Sequence, residues 1–218
     1  MLIMLRDLGH RLLALAAAAP LVAVAVQFAM VWMVDLGPRA EPWTRFCVGL
    51  FVLEFILIHS GAFLGNVVQS TPTTKKHWLA VIGLIALYSL FAVGMAASVK
   101  SWSIFWVYLS VMVSRLFSIL FVKPARRVKE MSGLALRSAA SAMMYLLCAF
   151  ISVLVPFPRG HVPHGIFDGD GLWETHPERA IAVGILYFLV MALVEYTIVL
   201  RDLRGQPVSV VATTEKSR

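Results

Sequence analysis

The chain has 218 residues, 60% of them hydrophobic and only 14% charged, with a mean hydropathy of +0.82. A soluble domain cannot cover that much apolar surface with so little charge, so an ordinary water-soluble protein is excluded. The net charge of +7 is gathered in short clusters beside apolar runs, which suits anionic lipid headgroups and not nucleic acid.

Six apolar stretches predict six transmembrane helices, each near the ~20 residues that a span needs. They cover residues 12–34, 44–69, 78–99, 103–122, 136–155 and 180–200, so residues 1–204 read as one transmembrane domain and 205–218 as a tail. Backbone groups in lipid must bond internally, and no stretch alternates with period two, so an all-α bundle is expected and a barrel is not. In the first stretch Pro20 predicts a kink, because its ring removes one backbone donor and crowds the preceding turn. Arg6 and Arg11, followed by an alanine-rich run and Ala23-Val24-Ala25, resemble a secretory signal with its cleavage site. The run continues to Val34, longer than a signal's apolar region, so a retained helix is expected.

Gly61 and Gly65 give the second stretch a small-xxx-small pair for close helix contact. Lys123-Pro124 ends the fourth stretch, and the basic, partly amphipathic segment after it is expected on the membrane surface. Pro156 and Pro158 end the fifth and open a Pro- and Gly-rich loop over 156–179. Cys47 and Cys148 both lie within apolar runs and read as small buried hydrophobes, not a disulfide framework.

Orientation follows from the distribution of cations. Thirteen Lys and Arg fall on the side of the two termini, five on the other, and Arg115 lies within a span. The positive-inside rule then puts both termini in the cytoplasm. The compact chain and short connections suggest a bacterial cytoplasmic (inner) membrane.

A charge near the bilayer centre costs at least about 2.5–3.5 kcal/mol, so ionisable residues inside spans are functional candidates by default. Four stand out: Glu54, His59, Arg115 and Glu195. Arg115 and Glu195 lie at similar depths from the cytoplasmic ends of their helices and are expected to form an ion pair. Glu54, His59 and Asn66 place polar groups along the second span, suggesting an intramembrane polar site. Glu54 and His59 are five residues apart, about 140° around a helix, so they border a site from two sides and do not stack. Carboxyl and imidazole are side-chain types that a proton relay uses.

The 156–179 loop holds His161, His164 and His176 with Asp168 and Asp170, residue types that suit zinc or copper. Asp168-Gly-Asp170-Gly lacks the later bidentate Glu of an EF-hand loop. His59 is the one histidine deep in a span, which leaves no histidine pair for a haem and no distant base for Ser60 as a nucleophile. The cofactor is therefore unassigned.

Three functions are compatible with this reading. The leading one is a small multi-pass membrane protein whose polar intramembrane cavity binds or passes a proton or small ligand. The second is a non-catalytic subunit or assembly factor with a membrane-protein partner. The third is a membrane-embedded metal or haem redox protein.

Overall fold

A computed structural model describes the backbone of residues 2–70, 75–121 and 124–204, and the side chains of 7–63, 79–114 and 137–204. Every regular element in it is helical. The elements are α1 (Leu2–Met33), α2 (Ala40–Ser70), α3 (Lys75–Ser98), α4 (Ser103–Phe121), α5 (Pro124–Leu154), α6 (Leu172–Thr175) and α7 (Pro177–Leu203). Five of these are long and apolar enough to cross a membrane. In α4 the apolar segment described to its side chains is shorter, Ser103–Ser114.

Several helices outrun the expected spans. α1 begins at Leu2 and runs uninterrupted through Pro20, whose ring sits on an exposed face of the helix. α5 begins at Pro124, so the basic segment 124–136 is its first part and not a separate surface helix. A 31-residue helix is about 46 Å long, against a hydrocarbon core of about 30 Å, so α5 must project from the apolar layer. The 156–179 loop is not wholly irregular: α6 forms one turn of helix within it, and α7 starts at Pro177.

Connections alternate between two ends of the bundle. One end, here the loop end, gathers the 155–171 connection over α1, α2 and α3. Trp32 Nε1 donates to the Pro158 carbonyl at 2.9 Å, and the His161 amide donates to the Trp32 carbonyl at 3.0 Å. Lys100 Nζ lies 2.7 Å from Asp168 Oδ2. The buried Arg45 of α2 donates to Glu41 and to the Ile166 carbonyl, with its guanidinium 5.3 Å from the Phe167 ring. At the opposite end Arg204, which caps α7, bonds Asp7 of α1 at 2.8 Å, and Arg11 braces the same carboxylate at 3.0 Å.

The most extensive contact joins α1 to α7. α1 buries Ala14, Ala18, Ala25 and Phe28, with Leu21 partly buried, at steps of four, three, four and three residues. That spacing keeps one seam facing a partner helix, and the small side chains let the backbones approach. The Phe28 ring fills the place that a Cβ on Gly184 would take and lies 5.3 Å from the Phe188 ring. α2 occupies the middle of the bundle and packs on α3, α4, α5 and α7.

Candidate intramembrane site

The candidate site lies where α2, α5 and α7 meet. α5 carries Arg137, Ser141, Tyr145, Cys148 and Ser152 at steps of four, four, three and four, which places them on one face. α7 carries Tyr187, Met191 and Glu195 four apart, on its own inward face. α2 contributes Phe51 and Glu54. Glu54 is 14 residues from the start of α2, about 21 Å along it, near the middle of the helix.

Glu54 is half-buried, and its Oε2 accepts a hydrogen bond from the Tyr187 hydroxyl at 3.1 Å. Aromatic rings enclose this pair. Phe51 stacks on Tyr145 at 4.9 Å, and Tyr145 meets Tyr187 edge-on at 6.0 Å. Phe51, Tyr145 and Tyr187 are all buried. Such rings pack about the Tyr187 side chain and lower the local dielectric, which strengthens the hydrogen bond that Glu54 accepts. A tyrosine hydroxyl can both donate and accept, so this pair is chemically able to relay a proton or hold a polar ligand.

Polar contacts continue from the pair in both directions. Toward the ends of the chain, Ser141 lies beside the Tyr187 hydroxyl, and its Oγ is 3.7 Å from Met191 Sδ. One further turn on, Arg137 Nε donates to Glu195 Oε2 at 2.9 Å, and both side chains are a quarter to a third exposed. Toward the loop end, Trp173 Nε1 donates to Ser152 Oγ at 3.0 Å, and Arg179 Nη1 donates to the Ser152 carbonyl at 3.2 Å.

His59 lies about one and a half turns beyond Glu54 on α2. Its Nδ1 is 2.8 Å from the Phe55 carbonyl, and its ring lies 4.0 Å from the Phe55 ring. It is thus turned onto its own helix and reaches the aromatic cluster through Phe55, whose ring is 5.9 Å from Tyr145. The side chains of Asn66 and Arg115 lie outside the described residues. Among the described residues the cation beside Glu195 is Arg137, at the start of the expected fifth span. Its signal was the Arg137-Ser141-Tyr145 spacing, which continues straight into the apolar stripe of α5. Tyr187 and Tyr145 were missed because a tyrosine in an apolar run looks like ordinary core.

The loop histidines divide among separate tasks. His176 Nδ1 lies 3.2 Å from Glu178 Oε1, and His164 Nε2 lies 3.7 Å from Glu178 Oε2. Glu178 is only 3% exposed, so two imidazoles flank a buried carboxylate. Asp168 instead pairs with Lys100, whose hydrogen bond and charge hold its carboxyl below the usual aspartate range. His161 and Asp170 are exposed. Among the described residues, no group of three His, Cys, Asp or Glu side chains is placed to hold a metal ion.

The apolar helices and their interior packing define an all-helical membrane protein. No protein-family model, curated protein or solved structure matches this chain.

Proposed function

We propose that this protein is a six-span protein of the bacterial cytoplasmic membrane that binds or passes a proton or small ligand at Glu54. Both termini lie on the cytoplasmic side in this reading, where the basic residues meet anionic headgroups. The observation that carries it is the Tyr187–Glu54 hydrogen bond at mid-span, with hydrogen-bonding side chains following it along α5 and α7 toward both ends. A costly carboxyl in that position is easily replaced by an apolar residue if it does no more than fill space. The chain's own groups divide the work. Glu54 takes up the proton or ligand, Tyr187 orients its carboxyl, and the rings of Phe51 and Tyr145 exclude lipid. The Arg137–Glu195 pair lies between the site and the chain ends.

Reconstitution into liposomes with an internal pH dye tests this reading. Wild type should dissipate an imposed proton gradient faster than empty liposomes, and Glu54→Gln should abolish the difference. Equal rates for wild type and Glu54→Gln, or no rate above that of empty liposomes, would remove the transport reading.

One observation favours a second reading, a subunit or assembly factor. α3 has open space around Gly83 and Gly94, which lie 11 residues apart and so on one face. Small residues on an exposed transmembrane face permit close approach of another helix. A stoichiometric membrane-protein partner retained in mild detergent, and lost in Gly83→Leu/Gly94→Leu, would support that reading.

A further inference from the structure

A second feature lies apart from the Glu54 site. A cavity of about 470 Å³ sits at the loop end between α2, α3 and α5, beneath α6. This is within the ~300–1,000 Å³ range of small-ligand sites, which commonly occur between helices of bundles. Among the described residues α3 and α5 both pack on α2 with no comparable contact between them, and the cavity occupies the gap.

Its walls are apolar. Val48 of α2, Val99 just after α3 and Phe167 of the loop are buried around it. The polar groups on the wall are bonded or lie at the mouth: the Trp173 indole N–H donates to the Ser152 hydroxyl, Ser152 donates to the Ala149 carbonyl at 2.6 Å, Glu174 Oε2 accepts from the Gly171 amide at 3.0 Å, and Ser98 is exposed at the mouth. What enters therefore meets mainly hydrocarbon and aromatic surface, with the Glu174 carboxylate on the α6 side. One side is open: Val153 of α5 is 59% exposed and Ser98 of α3 is exposed, while Phe150 and Leu154 beside them also face outward. On a membrane-spanning bundle that side faces lipid.

The edge nearest the loop end carries cations. Arg179 Nη1 donates to the carbonyls of Ser152 and Val153, at the rim of the opening. Lys100 follows Val99 directly and is exposed, paired with Asp168. Both lie where α3, α5 and α7 end or begin.

The geometry points to a lipid site: one acyl chain of a phospholipid from the loop-end leaflet enters between α3 and α5, with its anionic headgroup at Arg179 and Lys100. The apolar walls suit the chain, the lateral mouth suits entry from the bilayer, and the two cations suit the phosphate. This inference does not depend on Glu54.

Photolabelling of the full chain in phosphatidylglycerol vesicles tests it, using phosphatidylglycerol that bears a diazirine on one acyl chain. Label should concentrate on the segments holding Val48, Met95 and Ala149, relative to the exposed Leu193 of α7. Ala149→Phe should cut label at Val48 and Met95 at least fivefold and leave Leu193 unchanged. Val48→Phe, judged by label at Met95 and Ala149, provides a second filled cavity should the first variant fail to fold. Arg179→Gln should lower the yield at the same segments severalfold. Even labelling of all lipid-facing helices, unchanged by either filled variant, would overturn the site. A diazirine-bearing free fatty acid that labels these segments as strongly at equal concentration would overturn the phospholipid assignment.

Discussion

Two faces of α7 do opposite things with neighbouring residues. Phe188 and Gly184 face α1, where Phe28 seats against them in a contact made of alanine, glycine and aromatic carbon. Tyr187, one residue earlier and about 100° around the helix, faces α2 and α5 and hydrogen-bonds Glu54. The first face joins helices by shape alone, because apolar side chains in lipid gain little by leaving it and close packing must supply the attraction. The second joins them through polar groups that would be costly in lipid and therefore need partners. A packing face tolerates no added volume, whereas a polar face tolerates no missing partner.

Substitutions that respect this difference should separate the two faces. Gly184→Leu should have the largest effect. Overpacking against Phe28 costs about 1–3 kcal/mol and, with no room to relax between helices, should fall at the upper end. Thermal unfolding in detergent would register it, and an unchanged midpoint would mean that α1 does not seat there. Glu195→Ala leaves Arg137 without its carboxylate. Hydrogen bonds to charged groups contribute about 1.5–3 kcal/mol, and partial exposure of this pair argues for the lower end. Arg137→Met/Glu195→Met should restore much of that loss, since an apolar pair leaves no orphaned charge, and a double-mutant cycle would measure the coupling.

Tyr187→Phe should cost less, about 0.6–1.7 kcal/mol, as interhelical hydrogen bonds in membranes do. Its clearer readout is functional: proton flux should fall while the fold, seen by circular dichroism, is retained. The smallest effect belongs to the loop end. Lys100 depresses the Asp168 pKa in the folded protein, so the pair stabilises the fold above the ordinary aspartate value of 3.8. That contribution is lost as pH falls below 3.8 through the depressed folded value. Asp168→Asn should lower stability at neutral pH by the small amount that an exposed, screened pair contributes, and should remove this acid-side dependence.

A ring links the two proposed sites. Phe51 stacks on Tyr145 and meets Trp173 at 5.2 Å, so it touches both the wall of the lipid cavity and the box around Glu54. Phe51→Leu is a direct way to ask whether filling the cavity and protonating Glu54 are coupled. If they are independent, lipid labelling will not change with a variant at Glu54.

Much of the fold was legible in the sequence for a simple reason. Apolar runs of about 20 residues can satisfy their backbone in lipid only as helices, so the class follows from run length alone. The site was legible in part. Glu54 stood out because a carboxyl in an apolar run is rare, yet its partner Tyr187 gave no such signal. Helix ends were not legible from apolar runs, since α1 starts at Leu2 and α5 at Pro124, both outside the expected spans. The loop histidines looked like one ligand set because they are close in sequence, but a loop's path decides which of them converge. It brings His164 and His176 to Glu178 and leaves His161 at the surface.

Composition and run length by themselves determined that this is a helical membrane protein and which ionisable groups lie within its helices. Periodicity determined which residues of each helix share a face. Only the tertiary structure decided which faces meet: that Tyr187 finds Glu54 and that Arg137 finds Glu195. The physical reason is that lipid is uniform around a helix. Hydropathy fixes how deep a residue sits but not its direction, and direction is set by contacts between helices far apart in the chain.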